Sequence, residues 1–261
     1  MPRQRSPLPP PLPPETRTVG QLVAESVRLY GARFWPSLAL GIGPGLLGVA
    51  AAELDGALRV AVVVGLGPLV LTSSYVGAVA ILRPIERGRY VAVALGVGYL
   101  AFLPVCVSRL WIFPGIYLLA LAWLALIGLG VPAALVERRG YADALRRGLQ
   151  LARADYVHAL GSLATLAITI FLTGLVIFFA LREGSGQALR IAAVLALVVL
   201  APIFVLGAAV LYVDQAARVE SGPRARRNSN GDVHSSFQPD GAGRADAEGE
   251  PGPAARGQQG R

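Results

Sequence analysis

The stretch Tyr156–Leu181, YVHALGSLATLAITIFLTGLVIFFAL, decides the fold, because its 26 residues include no Asp, Glu, Lys or Arg. At about 1.5 Å of helical rise per residue it can cross the roughly 30 Å hydrocarbon core of a bilayer. Five more uncharged runs repeat the pattern: Phe34–Ala52, Val60–Leu82, Tyr90–Ser108, Leu110–Val136 and Ile191–Val213. The whole chain of 261 residues is 54% hydrophobic and 15% charged, with a mean hydropathy of +0.55. A soluble domain carries about 25% charged residues, so this chain lacks the polar side chains to cover a water-exposed surface. The expected architecture is an all-α polytopic membrane helix bundle. Its domain, residues 16–213, holds six transmembrane helices near 35–53, 60–82, 91–108, 114–136, 156–181 and 191–213. The last run before residue 136 is too long for one upright helix, so Trp111-Ile-Phe-Pro114-Gly115 should form a turn with the helix starting near Pro114.

Two amphipathic segments flank the spans. Residues 18–33 open with Thr18-Val-Gly-Gln21, a capping box, and carry Val19, Leu22, Val23, Val27, Tyr30 and Phe34 at helical intervals on one face. Residues 141–155 form the second. Both suit helices resting at a membrane interface. Residues 1–15 include seven prolines and read as an extended, disordered tail and not as a signal peptide. Residues 214–261 are rich in Gly, Pro and charge, with Phe237 the one aromatic, and read as a disordered tail.

Arginine placement orients the bundle. All 24 basic residues are arginine. Those before the first span and in the second-to-third and fourth-to-fifth connections number 13, against 4 in the alternate connections. Positive residues stay inside, so both termini should be cytoplasmic. Lysine-free, Arg-, Ala- and Gly-rich usage points to a GC-rich genome and a bacterial cytoplasmic membrane. The net charge of +8 therefore follows the membrane and does not signal nucleic acid. Arg218, Arg224, Arg226 and Arg227, next to the last span, are candidates for contact with anionic lipid, with a topology determinant as the plainer reading.

Chemistry is sparse. One cysteine, Cys106, and two histidines, His158 and His234, exclude a disulfide scaffold and a zinc centre. No catalytic set, cofactor motif or metal set is expected. His158, Ser162, Thr165, Thr169 and Thr173 lie near one face of the fifth span, and Thr72, Ser73, Ser74 and Tyr75 form a second polar group. They either line a cavity or, as the plainer reading has it, bond backbone carbonyls. Gly41-x3-Gly45 and Ser73-x3-Gly77 allow close helix packing, within the bundle or between copies. The densest charge cluster is Glu137, Arg138, Arg139, Asp143, Arg146, Arg147 and Arg153. Here Glu137 should pair with Arg146 or Arg147 as a latch, or the arginines should hold a phosphate headgroup. Asp143 four residues before Arg147 should compete for it, leaving Arg146 freer. A turn at Gly140 should fold the second amphipathic helix back along the membrane. A weak echo at an offset of 122 aligns Leu22 with Ala144 and Ser26 with Gly148, as in a duplicated bundle.

Pro132-Ala-Ala-Leu-Val-Glu137, with Ala144-Leu145-Arg146-Arg147-Gly148 following, resembles the membrane domain of bacterial glycerophosphoryl diester phosphodiesterases and its stand-alone six-span relatives. Thr18-Val-Gly-Gln-Leu-Val-Ala-Glu-Ser-Val-Arg-Leu-Tyr30 and Phe34-Trp35 are similar to the start of those proteins. Gly148 departs from the pattern, which has Ser there. The hydrolase's His-Arg-Gly motif is missing, so the resemblance implies a membrane module without that activity. The expected function is a non-enzymatic scaffold or accessory module, with a transporter or lipid-handling protein as the alternative. No Asp, Glu, Lys or Arg lies deep within a span, which weighs against ion-coupled transport. The expected partner is the lipid bilayer.

Overall fold

The computed structural model describes residues 14–85, 88–110, 114–182 and 185–236. These residues are helical apart from short connections, and six helices are long and apolar enough to cross a membrane. After a 3-10 turn at Pro14–Thr16, α1 is Val19–Ala32, α2 Phe34–Glu53, α3 Gly56–Leu82 and α4 Arg89–Ser108. The fourth span is two pieces, α5 (Pro114–Ile127) and α6 (Gly130–Val136). Then come α7 (Tyr141–Ala154), α8 (Tyr156–Leu181) and α9 (Gly186–Ser236). The chain divides into two units, Met1–Glu220 and Ser221–Arg261. Of the expected Pro-rich tail 1–15, residues 1–13 lie outside the described residues, while Pro14 and Glu15 belong to the 3-10 turn; residues 111–113 of the expected turn and the tail beyond 236 also lie outside them, and Pro114 and Gly115 open α5.

The expected capping box forms, with the Gln21 amide N–H donating to Thr18 Oγ1 (3.4 Å) and the Thr18 N–H to Gln21 Oε1 (2.8 Å). The face that α1 turns inward is narrower than its sequence suggests. Leu22, Ser26 and Tyr30 are buried, whereas Val27 is 51% exposed. Ser26 can sit inside because its hydroxyl donates to the Leu22 carbonyl at 2.8 Å. The sixth span also differs: its helix begins at Gly186 and continues through Val213, where the sequence places the start of a tail. Asp214 and Gln215 are fully buried and belong to the bundle.

Prolines interrupt the spans, and each frees a carbonyl four residues earlier that hydrocarbon cannot hydrate. At Pro44, Pro68 and Pro104 a neighbouring helix supplies the missing donor. Pro44 frees the Leu40 carbonyl, which accepts from Ser74 Oγ of α3 at 2.8 Å. Pro68 frees that of Val64, which accepts from the Tyr99 hydroxyl of α4 at 3.3 Å, and the helix just before it widens to π geometry over Ala61–Leu66. Pro104 frees that of Leu100, which accepts from Trp123 Nε1 of α5 at 3.0 Å. Pro202 frees that of Val198, and the bare Cα of Gly41 packs directly on it. Pro132 breaks the fourth span: the Gly128 carbonyl takes the Val131 N–H instead at 3.2 Å, a tighter turn that separates α5 from α6.

Small residues set the helix spacing. Gly41, Gly45 and Gly48 of α2 face Val198 and Leu197 of α9, and Gly77 of α3 faces Leu40 of α2. Gly41, Gly45 and Gly77 thus serve packing inside the bundle, whereas Ser73 is exposed. Cys106 is buried against Gly67, a packing position.

Candidate functional site

The arginine-rich end of the bundle gathers its ionisable groups into two networks. The first centres on Glu137, just past the end of α6. Glu137 accepts from Arg139 Nε at 2.6 Å, from Arg147 Nε at 3.0 Å and from the Tyr212 hydroxyl of α9 at 3.0 Å. The chain reverses at Arg138, whose φ of 54° is left-handed, and this brings Arg139 back to Glu137. Gly140, expected to make that turn, has an ordinary extended backbone (φ −68°, ψ 169°) and precedes α7.

Of the two arginines expected to reach Glu137, Arg147 does and Arg146 does not. Arg147 lies beside the buried face of α7 and is 14% exposed, so it points under the helix at the carboxylate. Arg146 is one position round the helix, 82% exposed, and meets Asp143 at 3.9 Å. The expected competition of Asp143 for Arg147 does not arise: Asp143 meets Arg146, and the Arg147 guanidinium is turned to Glu137. Gly148 has a steric reason to lack a side chain: a Cβ there would lie 2.6 Å from the Gly130 nitrogen, where α7 crosses the start of α6.

The second network was not anticipated. Asp214 Oδ1 of α9 accepts from Arg17 Nη1 at 2.6 Å, fully buried. Four residues on, Arg218 donates to Asp155 Oδ2 at 2.7 Å and to the Arg17 carbonyl at 2.9 Å, and its Nη2 lies 3.4 Å from His158 Nε2. Asp155 also caps α8 by accepting from the His158 N–H at 3.1 Å. The two networks share a design. Gly130 precedes Glu137, and Gly207 precedes Asp214, by the same seven residues. Each glycine lies where an amphipathic helix packs, Gly130 against Ala144 of α7 and Gly207 against Ser26 of α1. The acid at the end of each span then pairs with an arginine on, or just before, that helix. This glycine-to-acid spacing was the sequence signal for the second network. The echo between α1 and α7 also has a structural counterpart, since Leu22 and Ser26, like Ala144 and Gly148, form the inward faces.

Several hydroxyls of the spans donate to backbone carbonyls. Thr72 and Ser73 donate to the carbonyls of Pro68 and Leu69, and Thr169 and Thr173 to those of Thr165 and Thr169. Thr169 and Thr173 face outward on α8, whereas Ser162 is buried and its hydroxyl has no hydrogen-bond partner among the described residues. Tyr212 is buried and serves Glu137.

Burial raises the affinity of the Glu137 carboxyl for a proton, but the hydrogen bonds from Arg147, Arg139 and Tyr212 outweigh it and hold the group below its ordinary value of 4.5. A lowered folded-state value means that the latch stabilises fully above about pH 4.5 and is lost as pH falls through that lowered value. Glu137→Gln is expected to lower the melting temperature in detergent near neutral pH, by an amount corresponding to about 1–3 kcal/mol, between exposed and buried pairs. Its melting temperature should also fall less than the parent's below pH 4.5. Arg147→Ala should be non-additive with it, while Arg146→Ala should change little. Equal effects of Arg146→Ala and Arg147→Ala would show that the latch is not the pair described.

Comparison of the chain with family models, curated proteins and solved structures finds no match.

Proposed function

We propose that this chain is a non-enzymatic integral membrane module, a scaffold or accessory subunit with both termini in the cytoplasm. One observation carries the reading. Among the described residues, the carboxylates that lie where a span meets the arginine-rich end, Glu137, Asp155 and Asp214, are each held by an arginine from another element. Groups used in this way fix two amphipathic helices and present a rigid face. The hydroxyls of Ser74, Thr169 and Thr173, bonded to carbonyls, support the same reading over the transporter or lipid-handling alternative. So does the resemblance of Pro132–Glu137 and the following helix to the membrane domain of glycerophosphoryl diester phosphodiesterases.

The test is reconstitution of the full chain in vesicles of phosphatidylethanolamine and phosphatidylglycerol. No hydrolysis of glycerophosphodiesters and no lipid scrambling is expected. In cell membranes the chain should migrate in a complex larger than itself, and Glu137→Gln should dissolve that complex. Catalysed hydrolysis or scrambling by the pure chain would overturn the reading. A reporter active only in the cytoplasm should work at the C-terminus and fail at residues 183–187.

A further inference from the structure

We propose that His158 and Arg218 form a pH-sensitive clasp between the start of α1 and the α7–α8 corner, closed while the His158 ring is neutral and opened when that ring takes a proton. The inference is independent of the scaffold reading.

One guanidinium makes the clasp. Arg218 of α9 gives Nη1 to Asp155 Oδ2 at 2.7 Å and Nη2 to the Arg17 carbonyl at 2.9 Å. It thereby ties the residue that ends α7 to the residue just before the Thr18 cap of α1. The same Nη2 lies 3.4 Å from His158 Nε2. A guanidinium has donors only, so the ring meets it with a lone pair, as a neutral imidazole with its proton on Nδ1. The Arg218 and Asp155 side chains are 22% and 35% exposed, so water screens the cluster only in part.

A second proton on the ring changes these contacts together. It removes the lone pair and sets a cation 3.4 Å from the guanidinium. It also offers Asp155 another cationic partner, on the residue whose main-chain N–H that carboxylate already accepts at 3.1 Å. Arg218 is then repelled by the ring and displaced from the acid, and its withdrawal breaks the bond to the Arg17 carbonyl. The Arg17–Asp214 pair remains and keeps α1 in the bundle, so the corner loosens while the helix stays folded. The charged groups gathered around this corner are Arg218 and Asp214 of α9, Asp155 and the exposed Arg153 at the end of α7, and Arg17 and Glu25 on the α1 side. Glu25 is engaged by Arg28 and Asp214 by Arg17. Helix α5, which also packs on α8, has no charged residue. Among these groups the imidazole is the one that ordinarily changes charge between about pH 5 and about pH 8.

Distance measurement between two nitroxide labels tests this on the full chain in lipid nanodiscs. The labels are placed by Gly20→Cys, where a side chain meets nothing within 4 Å, and by Ala154→Cys, also exposed, with Cys106→Ala. From about pH 8 to about pH 5 the distance should shift reversibly to longer values. His158→Gln, whose neutral amide oxygen can accept from Arg218, should hold the short distance throughout. Arg218→Gln should show the long distance throughout, and Asp214→Asn should keep the parent's shift. A second measurement leaves the clasp intact and so stands if a variant does not fold. The chain has two histidines, so His234→Gln makes His158 its only imidazole, and nitrogen NMR of the ring should titrate over the same pH range as the distance. An unchanged parent distance, the same shift in His158→Gln, a short distance in Arg218→Gln, loss of the shift in Asp214→Asn, or ring titration outside the range of the shift would each overturn the proposal.

Discussion

Replacing Gly41 by Ala is expected to destabilise the bundle by about 3 kcal/mol or more, at the upper end of overpacking costs. A Cβ on Gly41 would intrude on the carbonyl, carbonyl carbon and Cα of Val198. These are backbone atoms of α9, so no side-chain rotation relieves the clash, and one helix must move from the other. The separation would also withdraw Gly41 from the carbonyl freed by Pro202, leaving an acceptor in hydrocarbon. Gly20→Ala and Gly31→Ala are the controls. A Cβ at either meets nothing within 4 Å, and Ala favours a helix over Gly by about 1 kcal/mol. The measurement is the melting temperature of each variant in detergent. A Gly41→Ala protein as stable as the Gly31→Ala protein would show that α2 and α9 do not meet at this point.

Arg17→Ala should be the most damaging change among the ion pairs, by about 3–5 kcal/mol. The pair it breaks is almost completely enclosed, with Arg17 9% and Asp214 0% exposed. Asp214 Oδ2 has no hydrogen-bond partner among the described residues, so the carboxylate depends on its Oδ1 contact with Arg17. Removal of the arginine strands a charge, whereas Asp214→Asn removes the charge and keeps the shape. Asp214→Asn alone should therefore cost less than Arg17→Ala, and the double variant should be more stable than Arg17→Ala alone. Chemical-denaturation midpoints in mixed micelles would show this order. If the double variant falls by the sum of the two single losses, the residues do not act as a pair. The same change detaches the start of α1, so proteolysis near Arg17 should quicken in the variant.

The sequence by itself determined the helical membrane class, the number of spans and most of their limits. Hydropathy acts along the chain: a run such as Tyr156–Leu181 can satisfy its backbone in lipid only as a helix, wherever its neighbours lie. The capping box at Thr18 and the two amphipathic helices were legible for the same reason, because capping and helical periodicity involve residues a few positions apart. Glu137 and Arg147 were legible as partners across ten residues, but not the choice of Arg147 over Arg146, which turns on the face α7 buries. Tertiary structure alone decided that Gly41 must be bare, because Val198 is far along the chain. It decided that Ser74, Tyr99 and Trp123 answer the carbonyls freed by Pro44, Pro68 and Pro104. It also decided that Asp214, read as the first residue of a tail, is a buried anchor for Arg17. The physical reason is common to all of these. A hydrogen bond or ion pair in a bilayer is set by which helix is adjacent, and adjacency of apolar helices depends on packing shape, which local hydropathy does not encode.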